Sequence, residues 1–389
     1  MPGTVNGGLS PHIAPAFRAR LRESAAASAR SGRPDAEVLA MLRESGLLGT
    51  AVPREYGGGG GDAARVNQVV EGLAAVNPSV AIIAFQHFAV TARITEWGTA
   101  HQKDLLLPGL ADGSRLAASA WSETGAGAAK RNLSSTGVRR DDGSWVLHGT
   151  KAFTTGAGVA DLYLVLVTTG PPPPPPADPA PQPDADPQAP EPAYGAAGQT
   201  FFLIGADNPG IAPQPGPELL GMRGSATGLV RLRDCVVPDS GRLGPQGVAA
   251  EIIAGVRQSG ATLGAVSVGI AQAALDLAVC HANRHGLLAD PTVTHRLTDL
   301  ATRVESARAL VDRAGARTAP DPGLTTLYSK LFASTTAEDV CLDIARMTGS
   351  TGYLADDTLA RLLADARGVA LMGPANNLCR ELAVASWQH

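Results

Sequence analysis

The sequence predicts an α+β fold: an N-terminal helical bundle, a middle antiparallel β domain and a C-terminal helical bundle. Three observations predict it. From about Ala16 to Asp112, in ARLRESAAASAR and DAEVLAMLRESGLLG, apolar positions recur every three or four residues, the period of an amphipathic helix. From about Leu116 to Leu243 the chain turns to short β-branched or apolar runs separated by Gly, Asp and Pro, the signature of strands. From about Val248 onward the helical period returns. A chain of 389 residues exceeds what one hydrophobic core usually organises. The expected domains are therefore 1–115, 116–243 and 244–389.

In the first domain PREYGGGGG, from Pro53 to Gly61, breaks the helical pattern. Asn77-Pro78-Ser79 marks a further boundary, with Ser79 the expected helix cap. In the second domain WVLHGTKAF, DLYLVLVTT, TFFLIGAD and GLVRLRDCVV read as strands. Between two of them lies PPPPPPADPAPQPDADPQAPEPAYGAAG, residues 171–198. Such a segment buries no core and is expected to be an exposed, partly polyproline-II excursion. A tolerated hairpin insertion is favoured over a partner-docking loop, because long loops cost little entropy per added residue. In the third domain IIAGVRQSGATLGAVSVGIAQAALDLAVCHANRH contains no proline and predicts one extended helix.

Apolar residues make up 44% of the chain and charged residues 17%, with a formal net charge of -4. No long basic run is present, which argues against nucleic-acid binding. No apolar run is read as reaching the roughly 20 residues that span a membrane. The N-terminus MPGTVNGGLSPHIAPAF lacks a charged and then apolar leader, so a cytoplasmic protein is expected. Cys235, Cys280, Cys341 and Cys379 form no CxxC or Cys/His pattern. They read as reduced, buried thiols, and no metal site is expected.

Six strings, in order, resemble the acyl-CoA dehydrogenase family across nearly the whole chain. VPREYGGGGG is similar to its VPxxYGG turn. EWGTAHQKDLLLPGLADGSRLAASAWSETGAG is similar to its GTxxQKxxxLPxLAxGExxxAxxxTEPxAGS stretch. VLHGTKAFTTGAGVADLYLV follows the turn that leads into the flavin-facing strand. GMRGSATGLVRLRDCVVP resembles GMRGSxTxxLxFxxVxVP. GSTGYL from Gly349 and ADAR from Ala364 resemble GGxGY and RDAR.

The resemblance implies noncovalent FAD and a homo-oligomer, dimer or tetramer, whose subunits share each cofactor. Carried over by position, Trp121 and Ser122 meet the isoalloxazine edge, while Gly127 and Ala128 approach the pyrophosphate. Phe153, Thr154 and Thr155 meet the flavin ring. The residue types suit these roles: an aromatic face stacks the ring, and glycine lets backbone approach phosphate oxygens. From a neighbouring subunit, Arg346 lies beside the diphosphate, within the motif of Gly349 and Ser350. Arg284 or His285 stands for a further arginine of the family. Arg346 reads equally well as a solvated helix residue.

The resemblance breaks at the catalytic base. Following DAR, the position of the family's glutamate is assigned to Met372, with Pro374 at the threonine. A thioether cannot accept a proton. A second place where relatives carry the base falls at Ser259-Gly260, again without an acid, and Gly260 also stands where many relatives have an arginine. His87, on an apolar helix, is a candidate base by its near-neutral titration, against the commoner structural role of a lone buried histidine. His148 reads as a solvent-facing strand residue, and Glu123 as the structural glutamate of the TEP motif. Three functions stay open. They are oxygenation or other redox tailoring of a small or carrier-bound substrate, as in secondary metabolism; desaturation of a CoA or carrier-protein acyl thioester by an unrecognised base; and a non-catalytic flavoprotein.

Overall fold

A computed structural model of the chain describes residues 13–170, 194–349, 354 and 357–387. Ser350 and most of the proline-rich insertion lie outside the described residues. Five helices come first: α1 (Pro15–Ser31), α2 (Ala36–Glu44), α3 (Ala63–Ala74), α4 (Pro78–Trp97) and α5 (Ala100–Ala111). Eight strands follow: β1 (Ala117–Ala120), β2 (Thr136–Arg139), β3 (Trp145–Thr154), β4 (Leu162–Thr168), β5 (Gln199–Gly205), β6 (Ile211–Pro215), β7 (Gly228–Val237) and β8 (Arg242–Leu243). Among the described residues six helices then follow: α6 (Ala249–Gln258), α7 (Gly264–Arg284), α8 (Pro291–Ala316), α9 (Pro322–Thr348), α10 (Thr358–Leu371) and α11 (Asn376–Ala385).

Helix starts follow the local chemistry. Asp290-Pro291 and Asp321-Pro322 each place a carboxylate over the first turn and proline at the first helical position. A side-chain acceptor satisfies an orphan N–H there, and proline lacks the N–H that would be orphaned. Thr99 and Gln102 form a reciprocal capping box on α5. At α4 the cap is Asn77, whose side chain accepts from Val80 N. The expected cap, Ser79, lies inside the helix and is buried, since Pro78 already occupies the first helical position.

The sheet runs β6-β7-β3-β2-β4-β5-β8, with β1 on β4. Most pairings are antiparallel, but β1 and β2 each pair parallel with β4, so the sheet is mixed and not purely antiparallel as expected. Alternation along β4 explains the continuous run LYLVLV. Leu162, Leu164 and Leu166 face the helices, and Tyr163, Val165 and Val167 face the other layer of the sheet. A strand buried on both faces has no polar side to show. The helix-facing cluster also takes Ile94 of α4, Ile252 of α6, Leu327 of α9 and Leu382 of α11. It joins all three domains.

Two further expectations are corrected. The single long helix after Val248 is two, α6 and α7, separated at Gly260. The backbone there is left-handed (φ 81°), and a Cβ would lie 2.4 Å from the Ala314 carbonyl oxygen. Asn67 fixes the break, donating to Gly260 O at 3.0 Å and accepting from Thr262 N at 3.0 Å. Helix α7 is long and apolar enough, by length and composition, to cross a membrane. The sequence reading had found no such run. Here it is a core helix, with Ala265, Val266, Ile270 and Ala274 all buried against its neighbours.

Candidate active site

Four of the quoted strings are fastened together by polar contacts. In SETGAG, Glu123 accepts from Lys151 Nζ at 2.6 Å, Ser134 N at 2.7 Å and Ser135 N at 3.1 Å. Burial opposes its charge, but Lys151 and the serine donors prevail and hold the carboxyl down at about 2. Lys151 belongs to GTKAF, so this pair sets the start of the strand end expected to meet flavin. In GMRGS, Met222 N donates to Asp365 Oδ1 at 2.5 Å, which ties that segment to DAR. Burial pushes Asp365 up to about 6, against the Met222 N–H and Arg361. Ser225 O accepts from Gly156 N at 3.1 Å, closing the turn after Thr155.

Between these fastenings lies a partly open face. Ala152 N donates to Ser122 O at 2.8 Å, which sets Trp121-Ser122 beside Phe153. Trp121 packs on Phe201 with ring centroids 4.9 Å apart, yet among the described residues its buried Nε1 has no partner, nor has the buried Thr154 Oγ1. The Thr155 hydroxyl meets that of Thr227 at 3.1 Å. Phe153 is 57% exposed and has φ 52°, a left-handed conformation costing on the order of 1–2 kcal/mol outside glycine. Such strain persists where the surroundings impose it, and sites are where it collects. Gly127 is exposed with φ 72° and open space where a Cβ would point; Ala128 beside it is exposed. An exposed aromatic face, two orphaned donors and an uncovered glycine loop fit the ring and diphosphate of a flavin.

Arg284, Arg346 and Gly349 stand apart from that face. Arg284 and His285 are exposed at the end of α7. Arg346, in the last turn of α9, is 76% exposed and pairs with Asp343 at 3.3 Å. A groove lined by Ala278, His281, Leu287, Arg296, Met347 and Thr348 opens between these helix ends. Trp121 packs with the cluster that holds Leu327 and Tyr328 of the same α9. Tyr328 and Arg346 are 18 residues apart, roughly 27 Å along the helix at 1.5 Å per residue. The two predicted halves of the cofactor site therefore lie toward opposite ends of α9.

Met372 caps α10 and is half-buried against the helical core. The turn Met372-Gly373-Pro374 is held by Lys330 of α9, whose Nζ donates to Met372 O at 3.1 Å, Pro374 O at 2.5 Å and Asn376 Oδ1 at 3.0 Å. No residue of the turn carries an acid, and a shift of one position either way meets Leu371 or Gly373. His87 is fully buried. Its Nδ1 accepts from Ala117 N at 3.3 Å, and burial pushes its pKa down to about 4 despite nearby carbonyls of Leu48 and Leu110. This geometry gives the candidate base a packing role under β1. His148 is half-exposed, 3.7 Å from Asp234.

Sequence reasoning missed two lysines. Lys330 is one. The other is Lys130, just past SETGAG, which is 5% exposed with φ 54° and donates to Tyr194 Oη at 3.0 Å. Apart from that strained position, which only the structure shows, nothing in the sequence marked either.

Comparison with known proteins agrees with the geometry. The N-terminal, middle and C-terminal domain models of acyl-CoA dehydrogenases match residues 13–114, 118–235 and 251–386. The probable acyl-CoA dehydrogenase FadE25 of Mycobacterium tuberculosis is 30% identical over 353 residues, covering 88% of this chain and 85% of that protein. The L-prolyl-[peptidyl-carrier protein] dehydrogenase of Pseudomonas fluorescens is 29% identical, covering 88% of each. Butyryl-CoA dehydrogenase from Megasphaera elsdenii superposes with a TM-score of 0.84 at 25% identity, over 96% of each chain. The chain belongs to the acyl-CoA dehydrogenase family, a family of flavin-dependent oxidoreductases, and FAD is the cofactor that membership brings.

Proposed function

We propose that the chain oxygenates, or otherwise tailors by redox chemistry, a small or carrier-bound substrate, without the carboxylate base of α,β-desaturation. The observation that carries this reading is the acid-free turn Met372-Gly373-Pro374. Glu123 cannot stand in, since Lys151, Ser134 and Ser135 occupy its oxygens. Asp365 is committed to Met222 N and sits seven residues before Met372, about 10 Å along α10.

Bound FAD would accept hydride or, once reduced, react with O₂. Trp121, Ser122, Phe153, Thr154 and Thr155 would line its ring, with the Phe153 face stacking and the Trp121 indole N–H gaining an acceptor. Gly127 and Ala128 would let backbone amides reach the diphosphate. Arg284, Arg346 and Gly349 of a neighbouring copy would take its far end, which makes a homo-oligomer part of the site.

A second reading is desaturation of an acyl thioester on CoA or a carrier protein. The named activities of the relatives favour it, and it requires a base other than a carboxylate of this turn. One experiment separates the two. The FAD-loaded protein is mixed anaerobically with butyryl-CoA in a stopped-flow spectrometer. General-base assistance is worth roughly 10²–10⁴-fold, so the flavin should stay oxidised on the timescale of turnover. Photoreduced protein should reoxidise quickly in air. Rapid bleaching by a plain acyl-CoA would reverse the ranking in favour of desaturation.

A further inference from the structure

We propose that Lys130 and Tyr194 form an anion site, opening at Gly373, that anchors a carboxylate of the substrate. The proposal deepens the function above and rests on it for the placement of substrate beside the Met372 turn. Lys130 leaves the SETGAG loop in a left-handed conformation that directs its side chain inward. Tyr194, the first described residue of the proline-rich insertion, is 8% exposed and packs in the helix-facing cluster with Phe201, Ile253 and Leu378, so this end of the insertion is buried and not exposed as expected. Its hydroxyl takes one of the three hydrogens an ammonium donates. Among the described residues Lys130 has no carboxylate partner.

The surrounding charges do not supply one. Lys151, near enough to feel the Lys130 charge, already holds Glu123, and the Glu123 oxygens are filled. Lys330 faces only carbonyls and an amide. A buried ammonium with a single neutral partner is costly unless an anion completes it. Access is set by Gly373. It is exposed, and a Cβ there would lie 3.1 Å from Lys130 Nζ and 3.2 Å from Tyr194 Oη. Glycine at this position lets the exposed turn lie directly against the ammonium and the hydroxyl, where a Cβ would crowd both. A carboxylate reaching the pair past this turn would accept from Nζ through one oxygen and from the Tyr194 hydroxyl through the same or the other. No bond forms or breaks. The site holds one end of the molecule while the remainder extends toward Phe153 and Trp121.

The test is calorimetric titration with acetate, butyrate, hexanoate and octanoate and their matching amides, on both the flavin-free and the FAD-loaded protein. At least one carboxylate should bind on the order of tenfold or more tighter than its amide, and Lys130→Met should weaken it by about ten- to a hundredfold, as for loss of a hydrogen bond to a charged group. Tyr194→Phe should cost less, and no variant should discriminate among the amides. If Lys130→Met does not fold, Gly373→Ala sets a Cβ 3.1 Å from Lys130 Nζ and 3.2 Å from Tyr194 Oη while leaving both polar groups in the chain, so carboxylate affinity should drop while FAD uptake persists. The proposal is overturned if no carboxylate outbinds its amide, or if Lys130→Met (where it folds) or Gly373→Ala binds carboxylates as wild type does. Failure of the protein to take up FAD would sink the flavin reading instead, and the titrations on flavin-free protein would still decide this one.

Discussion

Two turns at the edge of the candidate site are built alike and filled differently. Each is gripped by a fully or nearly buried lysine from a distant element: Lys151 at Glu123, and Lys330 at Met372-Gly373-Pro374. At the first the ammonium meets a carboxylate, and the pair is closed by Ser134 and Ser135. At the second it meets, among the described residues, two carbonyls and the Asn376 amide oxygen. The first corner is a compensated ion pair that fixes the flavin-side strand. The second spends its cation on shaping a turn in which no group accepts a substrate proton. On the function proposed above, the difference places the departure from desaturation chemistry in a few side chains on one turn, with the framework kept.

The largest effect should come from breaking the compensated corner. Lys151→Met leaves Glu123 buried and unpaired, which typically costs 3–5 kcal/mol. Denaturant unfolding should show that loss, together with poor retention of FAD. Pairing it with Glu123→Gln should recover a substantial part, because the second change removes the stranded charge. Additive losses in the double variant would mean that the two corners do not differ in the way described.

The second corner should respond more weakly and with a distinctive pH dependence. Lys330→Met leaves carbonyls without a donor, a cost of about 1–3 kcal/mol, but it also removes a buried charge that lacks a counter-ion. Burial pushes Lys330 down to about 8 from 10.5. The folded state therefore binds fewer protons than the unfolded chain between about pH 8 and 10.5, so Lys330 adds a contribution to stability that rises with pH across that window. Lys151 shares the direction, so the informative quantity is the difference between wild type and Lys330→Met. Stability of wild type relative to the variant should increase from pH 8 to 10.5. A flat difference would place Lys330 in a solvated, uncoupled setting that its geometry does not show.

Much of this framework was legible before any coordinates. The long strands β3, β4, β5 and β7 carry β-branched or aromatic runs, and the flavin-side strings are contiguous. What escaped depends on partners far away in sequence. β1 is AASA, without a β-branched or aromatic residue to mark it within the strand zone, and it pairs with β4. β6 holds two prolines and survives at the end of the sheet path. The split between α6 and α7 needed the Ala314 carbonyl and Asn67 to be seen. Lys130 and Tyr194 lie 64 residues apart, and Lys330 lies 42 residues from Met372. No local period or motif spacing encodes those meetings. Arg346, which read equally well as a diphosphate contact or a solvated helix residue, is exposed on its own chain.

The smallest predicted change sharpens the comparison at the flavin face itself, and it concerns Phe153. Its side chain is more than half exposed, so removing it from the flavin-free protein forfeits little burial. Its φ of 52° suits glycine, and the strain relieved by Phe153→Gly is on the order of 1 kcal/mol. Glycine also gives the unfolded chain more freedom, which takes back roughly 0.5–1 kcal/mol. The flavin-free variant should therefore unfold at nearly the wild-type denaturant midpoint, within about 1 kcal/mol. Its FAD affinity should nevertheless fall, because an aromatic stacking contact worth about 0.5–1.5 kcal/mol beyond its area is lost. That amounts to a few-fold to roughly tenfold in Kd, measurable by flavin fluorescence on titration. A residue that is strained, exposed and dispensable for folding, yet required for cofactor affinity, is kept for the ligand. Unchanged FAD affinity would remove Phe153 from the ring contacts and leave the Trp121 side of the face to hold the flavin.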